Sequence, residues 1–311
     1  MSVLTTLGGE PASATSGVGQ TVWQALRKDR AAMVGLVLVV LALLVAAFAP
    51  WIASINGGDP YTYHSDALSG DGSPRGAFGG ASSEHWFGVE PLTGRDLYAI
   101  VVYGARTSIL VGLSATVLAV TIGVLVGSSA ALFGGWYDQV ASRVTDVLLG
   151  FPSLIFMIAL GAFAPAAIPR SVLIVAVIGL FGWPGIARVI RGQSLSLMER
   201  NYVSASRAMG AGGFHLLRKH LLPNLSGTII VFATITIPAN IGAEAALSFL
   251  GLGVPPPTPA WGRTIGTAVA WIATDPWYLL APAGALFIVT FAFNLLGDGL
   301  RDALDPRLGG S

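Results

Sequence analysis

The chain of 311 residues is 53% hydrophobic and only 11% charged, with a mean hydropathy of +0.71. This places it in the membrane class and excludes an ordinary soluble domain, whose charged fraction is about 25%. The 17 Lys and Arg against 16 Asp and Glu leave a net charge of +1, which carries little information about partners and gives no reason to expect nucleic acid. The chain has no cysteine, which excludes a disulfide framework, thiol catalysis and cysteine-ligated zinc or iron–sulfur.

The first thirty residues are polar or small and end in "ALRKDR". They read as a cytoplasmic tail, 1–30, too long and too polar for a usual cleaved signal. The apolar run 31–55 that follows reads as a retained first anchor. Crossing roughly 30 Å of hydrocarbon takes about 20 apolar residues, and five more uncharged windows meet that length. They lie between Arg106 and Asp138, Asp146 and Arg170, Arg170 and Arg188, His220 and Glu244, and Asp275 and Asp298. The third and fourth of the six windows are separated only by "FAPAAIPR" and are expected to form a helical hairpin. An all-α polytopic membrane protein with six transmembrane helices follows.

Outside these windows, residues 56–104 are rich in Gly, Ser, Asp and Pro and read as an extramembrane insertion ending in a short amphipathic stretch. Residues 105–300 form the main transmembrane domain, and 301–311 a short tail. Five prolines break residues 251–277, which cannot be one straight span. A re-entrant or interface-lying segment is expected there, with Trp261, Trp271 and Trp277 at headgroup depth. With six spans both termini share one side. That side collects twelve basic residues, Arg27, Lys28, Arg30, Arg143, Arg188, Arg191, Arg200, Arg207, Arg218, Lys219, Arg301 and Arg307. The other side holds five, Arg75, Arg95, Arg106, Arg170 and Arg263. The positive-inside rule then puts both termini in the cytoplasm and 56–104 outside.

Within the second span Gly123, Gly127, Ala131 and Gly135 recur every fourth residue, a face on which another helix can pack closely in lipid. Catalytic motifs are missing: there is no phosphate loop, and neither lysine follows a glycine. No "HExxH", "GxSxG" or "GxGxxG" occurs either. His215 and His220 are five apart, a spacing that does not align two imidazoles for a metal, and read as solvated loop residues. His64 and His85 have no ligand-spaced neighbours.

Between the fourth and fifth windows lies a polar, basic, glycine-punctuated stretch, "YVSASRAMGAGGFHLLRKHLLPN". Its charges cannot sit cheaply in lipid. It divides into a helix ending at Gly210, a suitable left-handed C′ residue, and a second that stops before Pro223 with Phe214, Leu217 and Leu221 on one face. Taken alone, such a pair could be an amphipathic element lying on anionic lipid.

"SASRAMG", nine residues and then "HLLP" resemble the "EAA…G…I.LP" loop in the permease subunits of binding-protein-dependent ABC importers. Ala205, Gly210, Leu222 and Pro223 match; Ser204 stands where glutamate is usual, Ser206 for the second alanine and His220 for isoleucine. "FGVEPLTGRDLYAIVVYGARTSILVG", "FGGWYDQVASRVTDVLLGFPSL", "EAALSFLGLGVPPPTPAWG" and "FNLLGDGLRDALDPRL" are similar to the C-type subunits of dipeptide and oligopeptide permeases, so the resemblance covers roughly residues 25–308. It implies a type I ABC importer permease fold with no catalysis of its own and no cofactor or metal bound by this chain. It also implies a homologous second permease, two ATPase subunits, or one fused, carrying ATP and Mg, and an extracytoplasmic peptide-binding protein. The loop 199–224 would then be the coupling element that enters an ATPase cleft. Serine at 204 offers a neutral hydrogen bond in place of a charge, shifting contact toward Arg200 and Arg207. Glu244 would line the pathway, pair with Arg263 or a partner subunit, or sit as a helix-end carboxylate at the water interface, the last being favoured. Permeases for nickel and other small solutes are similar. A self-contained secondary transporter would show inverted repeats and several intramembrane ionisable groups, which are not apparent.

Overall fold

In hydrocarbon each backbone N–H and C=O needs a partner within the segment, so apolar windows of this length fold as helices. The computed structural model describes residues 16–304 apart from Gly57, Ala164 and Ala166, with side chains from Val22 onward. The outer parts of both expected tails, 1–15 and 305–311, lie outside the described residues. Twelve α-helices follow in order: α1 (Ser16–Lys28), α2 (Arg30–Ala47), α3 (Ala49–Ala53), α4 (Leu97–Phe133), α5 (Gly135–Gly150) and α6 (Ser153–Phe163), then α7 (Arg170–Met198), α8 (Asn201–Ala208), α9 (Gly213–Leu216), α10 (Leu222–Phe249), α11 (Trp261–Ala268) and α12 (Pro276–Leu304). Among the described residues there is no strand; two isolated bridges, Leu68 with Pro74 and Val89 with Asp96, tie the insertion to itself.

Among the described residues five helical runs are long and apolar enough to cross a membrane: α2, α4, α7, the run 213–249 that ends in α10, and α12. The expected third span differs. It is divided between α5 and α6, which are bent by 89°. With eleven residues, α6 reaches only about 16 Å. The break has a local cause: Phe151 precedes Pro152, and the proline ring pushes it out of the α region to φ −91°, ψ 143°.

The second span is longer than its uncharged window. Asp96 accepts from the Ala99 amide at 2.7 Å and starts a helix of 37 residues, so 97–104 belongs to α4 and Arg106 lies inside it. The fourth continues through Pro184 and past Arg188 to Met198, because its arginines find carboxylates on α5. Arg188 Nη2 lies 2.5 Å from Asp146 Oδ1, and Arg191 grips Asp138 with two nitrogens, Nη2 at 2.6 Å from Oδ2. The N-terminal tail contributes α1, whose Leu26 is buried with Val39 of α2 and Phe293 and Leu296 of α12.

Small residues set the closest helix contacts. A Cβ on Gly123 would lie 2.8 Å from the Ile186 side chain, and one on Gly127 would lie 2.5 Å from the Ala187 carbonyl oxygen. Ala131 is buried on the same helix. Gly135 is not part of that face: α4 stops at Phe133, Gly134 and Gly135 take φ +62° and +57°, and open space surrounds Gly135. Gly35 of α2 packs on α12 in the same manner, 2.8 Å separating its Cβ position from Leu295 Cβ.

Residues 251–277 form no span, as their prolines require. A loop leads into α11, a short 3₁₀ turn and α12. Trp261 is a buried strut rather than a headgroup anchor: it is 2% exposed and its indole N–H donates to the Val101 carbonyl at 2.8 Å. Trp277 likewise donates to the Phe87 carbonyl at 3.0 Å, fastening α12 to the insertion.

Candidate functional site

The loop 199–224 leaves the bundle at one end. Helix α8 closes in a Schellman motif, with the Gly210 amide bonded to the Arg207 carbonyl at 2.9 Å and the Ala211 amide to the Ser206 carbonyl at 3.1 Å. Gly210 holds φ +87° with open space where a side chain would stand. Ser204, Ala205 and Arg207 are exposed on α8. Ser206 faces inward instead: it is buried, and its hydroxyl lies 3.2 Å from His220 Nε2, so His220 is braced against α8 rather than free in solvent. Val203, wholly buried, anchors the same side of α8.

The second helix departs from its expected form. It does not stop before Pro223. Residues 217–221 make a π turn in which the Leu222 amide bonds to the Leu217 carbonyl, and α10 continues directly through Pro223. The proline has no N–H to place, and the Asn224 side-chain amide donates to the His220 carbonyl at 2.6 Å. The extra residue in the turn rotates the apolar face. Leu216 and Leu221 are buried, whereas Phe214 is 75% exposed. Met209 stands 83% exposed nearby in sequence, so two large apolar side chains project at the tip. Leu222 is half-buried and Pro223 exposed. Beside this loop a groove of about 910 Å³ runs between α7, α10 and α12, lined by Gln193, Arg200, Asn224, Thr228, Phe232 and Arg301 among others.

Within the bundle two buried polar groups meet across helices, while others, such as Ser194 Oγ of α7, have no hydrogen-bond partner among the described residues. Asn240 of α10 donates to Thr116 Oγ1 of α4 at 2.9 Å, and that hydroxyl donates to the Gly112 carbonyl at 2.8 Å. A search for charged residues misses this pair, since neither member is ionisable. Glu244 is not at a water interface: it is wholly buried, Oε1 lies 2.6 Å from Ser248 Oγ, and Oε2 has no hydrogen-bond partner. Nor does it pair with Arg263, which donates to the Val254 carbonyl at 3.2 Å. Dense packing keeps water out, as a Cβ on Gly262 of α11 would lie 2.2 Å from the Ala245 carbonyl oxygen.

At the opposite end from loop 199–224, the insertion carries a buried ion pair. Arg95 Nε and Nη2 each lie 2.6 Å from Glu90 Oε2, and the Tyr278 hydroxyl donates to Oε1 at 2.7 Å. Arg263 shares this pocket. Burial first, then the neighbouring Arg95 guanidinium, hold its own guanidinium below the ordinary range.

These features define a polytopic helical subunit with an apolar-tipped loop at one end and a structured insertion at the other. Residues 119–310 match the family model of the binding-protein-dependent transport system inner membrane component, and residues 17–71 match the N-terminal TM domain of oligopeptide transport permease C. The chain belongs to the binding-protein-dependent transport system inner membrane components, multi-pass proteins of the inner membrane. It is 39% identical over 311 residues to the oligopeptide transport system permease protein OppC of Bacillus subtilis (strain 168), with 96% of each chain covered. It is 38% identical over 288 residues to the glutathione transport system permease protein GsiD of Escherichia coli O1:K1 / APEC, covering 93% of this chain and 90% of that one. A chain of the MetNI methionine ABC transporter, solved in inward facing conformations, shares its fold with a TM-score of 0.54 at 21% identity, over 67% of this chain and 98% of that one. The fold is that of a type I ABC importer permease.

Proposed function

We propose that this chain forms half of the translocation pathway of an ABC importer for dipeptides or oligopeptides. A homologous permease supplies the other half, two ATPase subunits supply ATP hydrolysis with Mg, and an extracytoplasmic binding protein delivers the peptide. The chain itself hydrolyses nothing and binds no cofactor. Peptide is preferred to nickel or another small solute because the relatives named for oligopeptide and glutathione align over more than nine-tenths of this chain.

The observation that carries the coupling role is the loop 199–224. A lipid-lying helix would press its large apolar side chains toward the bundle's own apolar belt. Here Met209 and Phe214 project with Ser204, Ala205 and Arg207 from a braced, glycine-ended hairpin, a mixed apolar and polar surface suited to a protein cleft. Ser206, Leu222 and Pro223 support it from behind, Ser206 through His220 and Pro223 at the root of α10. Both termini and this loop lie in the cytoplasm on the twelve-to-five distribution of basic residues. The absence of cysteine makes crosslinking clean. Cysteine in place of exposed Ser204 should crosslink to an ATPase subunit in the assembled complex, while cysteine in place of buried Ser206 should react far more slowly. Equal labelling of both, with no ATPase adduct, would overturn the coupling assignment.

A further inference from the structure

A pocket of about 290 Å³ opens on the insertion end between the turn 90–95 and the segment 256–271, and its charges do not balance. Two guanidinium groups, Arg95 and Arg263, share it with one carboxylate, Glu90. Glu90 is fully engaged: Oε2 meets Arg95 and Thr93 Oγ1, each at 2.6 Å, and Oε1 accepts from Tyr278. Arg95 spends its remaining donors on the carbonyls of Pro60 and Pro257. Arg263 is left with a single neutral acceptor, the Val254 carbonyl, and no ion pair among the described residues. A half-buried guanidinium with most of its donors open calls for a carboxylate, the group whose two oxygens match its fork.

The rim adds a second, independent observation. Leu92, which lines the pocket, holds φ +67° and is 67% exposed. Positive φ is unfavourable for bulky residues, and strain of that kind is kept where the displayed side chain has a use. An exposed apolar side chain beside a charged centre suits a protein contact. The pocket is also at the small end for a whole ligand, since sites for small molecules run from about 300 to 1,000 Å³. A side chain fits it better than a peptide does.

We propose that this pocket is a socket for an acidic side chain of the soluble extracytoplasmic protein that docks on this subunit, with Arg263 as the ionic anchor and Leu92 as the apolar contact beside it. This rests on the importer reading and its orientation. The test uses the complete complex in lipid nanodiscs, titrated with peptide-loaded binding protein. Arg263→Glu should weaken docking by at least about tenfold, and Arg263→Gln by less, as loss of one member of a desolvated charge pair requires. Leu92→Gly should weaken docking several-fold, although glycine relieves the strained backbone. Arg75→Gln, which removes an exposed charge elsewhere in the insertion, should leave docking unchanged. Docking of Arg263→Glu at wild-type affinity would overturn the proposal. So would loss of the second permease from the purified Arg263→Glu complex, which would make the pocket a subunit interface. Unchanged docking with poorer uptake only of peptides bearing a free carboxylate would likewise overturn it, in favour of a solute subsite. In each of these cases the wild-type complex still transports, so the importer reading stands; a wild-type complex that neither docks the protein nor transports would sink that reading instead.

Discussion

Gly210 combines a backbone at φ +87° with empty space around its absent side chain, so only the conformation, and no intramolecular clash, opposes a substitution. Valine there should cost about 1–2 kcal/mol, asparagine less, because its short polar side chain tolerates the left-handed region. The penalty is local to the α8 cap, and α7 and α10 should insert normally. Peptide-stimulated ATP hydrolysis by the assembled complex should fall in Gly210→Val and largely recover in Gly210→Asn; equal loss in both would point to bulk at the contact rather than to the turn. Gly210 was legible in sequence because a glycine after a short helical pattern has one common use. The inward turn of Ser206 was not legible, since its partner His220 is brought to it across the π turn 217–221, which leaves no periodic trace. Glu244 was misplaced for a related reason: the window 221–243 ends at the first charged residue, and nothing local tells a carboxylate in water from one enclosed beside Ser248.

At the scale of elements, contact between α4 and α7 depends on glycines whose absent side chains let the backbones meet. Gly127→Val would drive atoms into the Ala187 carbonyl oxygen, 2.5 Å from the Cβ position, and cannot be relieved by a rotamer change. It should lower both the amount of the chain in the membrane and its unfolding temperature. Gly185→Ala, on α7 with nothing nearby, should be neutral or stabilising by up to about 1 kcal/mol. Thermal unfolding in detergent would read both, and a Gly127→Val chain as stable as wild type would refute close packing there. Of the four-residue spacing, Gly123 and Gly127 lie against α7, whereas Gly135 falls past the end of α4, where Gly134 and Gly135 both adopt positive φ. The break between α5 and α6 was hidden in an apolar window. Pro152 is apolar, so hydropathy does not register the backbone break that its ring imposes on Phe151.

For the whole molecule, the five long helices among the described residues follow from hydropathy with little else, because a bilayer leaves the backbone few alternatives, whereas the bend between α5 and α6 does not. The proposed sidedness rests on the distribution of basic residues. Cysteine in place of exposed Ser83 in the insertion should react with an impermeant maleimide in intact cells, and cysteine in place of Ser204 only after the membrane is opened. The reverse pattern would invert the topology. On the proposed function, this subunit conducts peptide only as part of an ATP-driven assembly. The most direct measurement of this is uptake of labelled peptide into proteoliposomes holding either the chain alone or the complete complex, with and without ATP. Uptake is expected from the complete complex with ATP and from no other preparation; uptake by the chain alone would overturn the proposed function and make the protein a self-contained transporter.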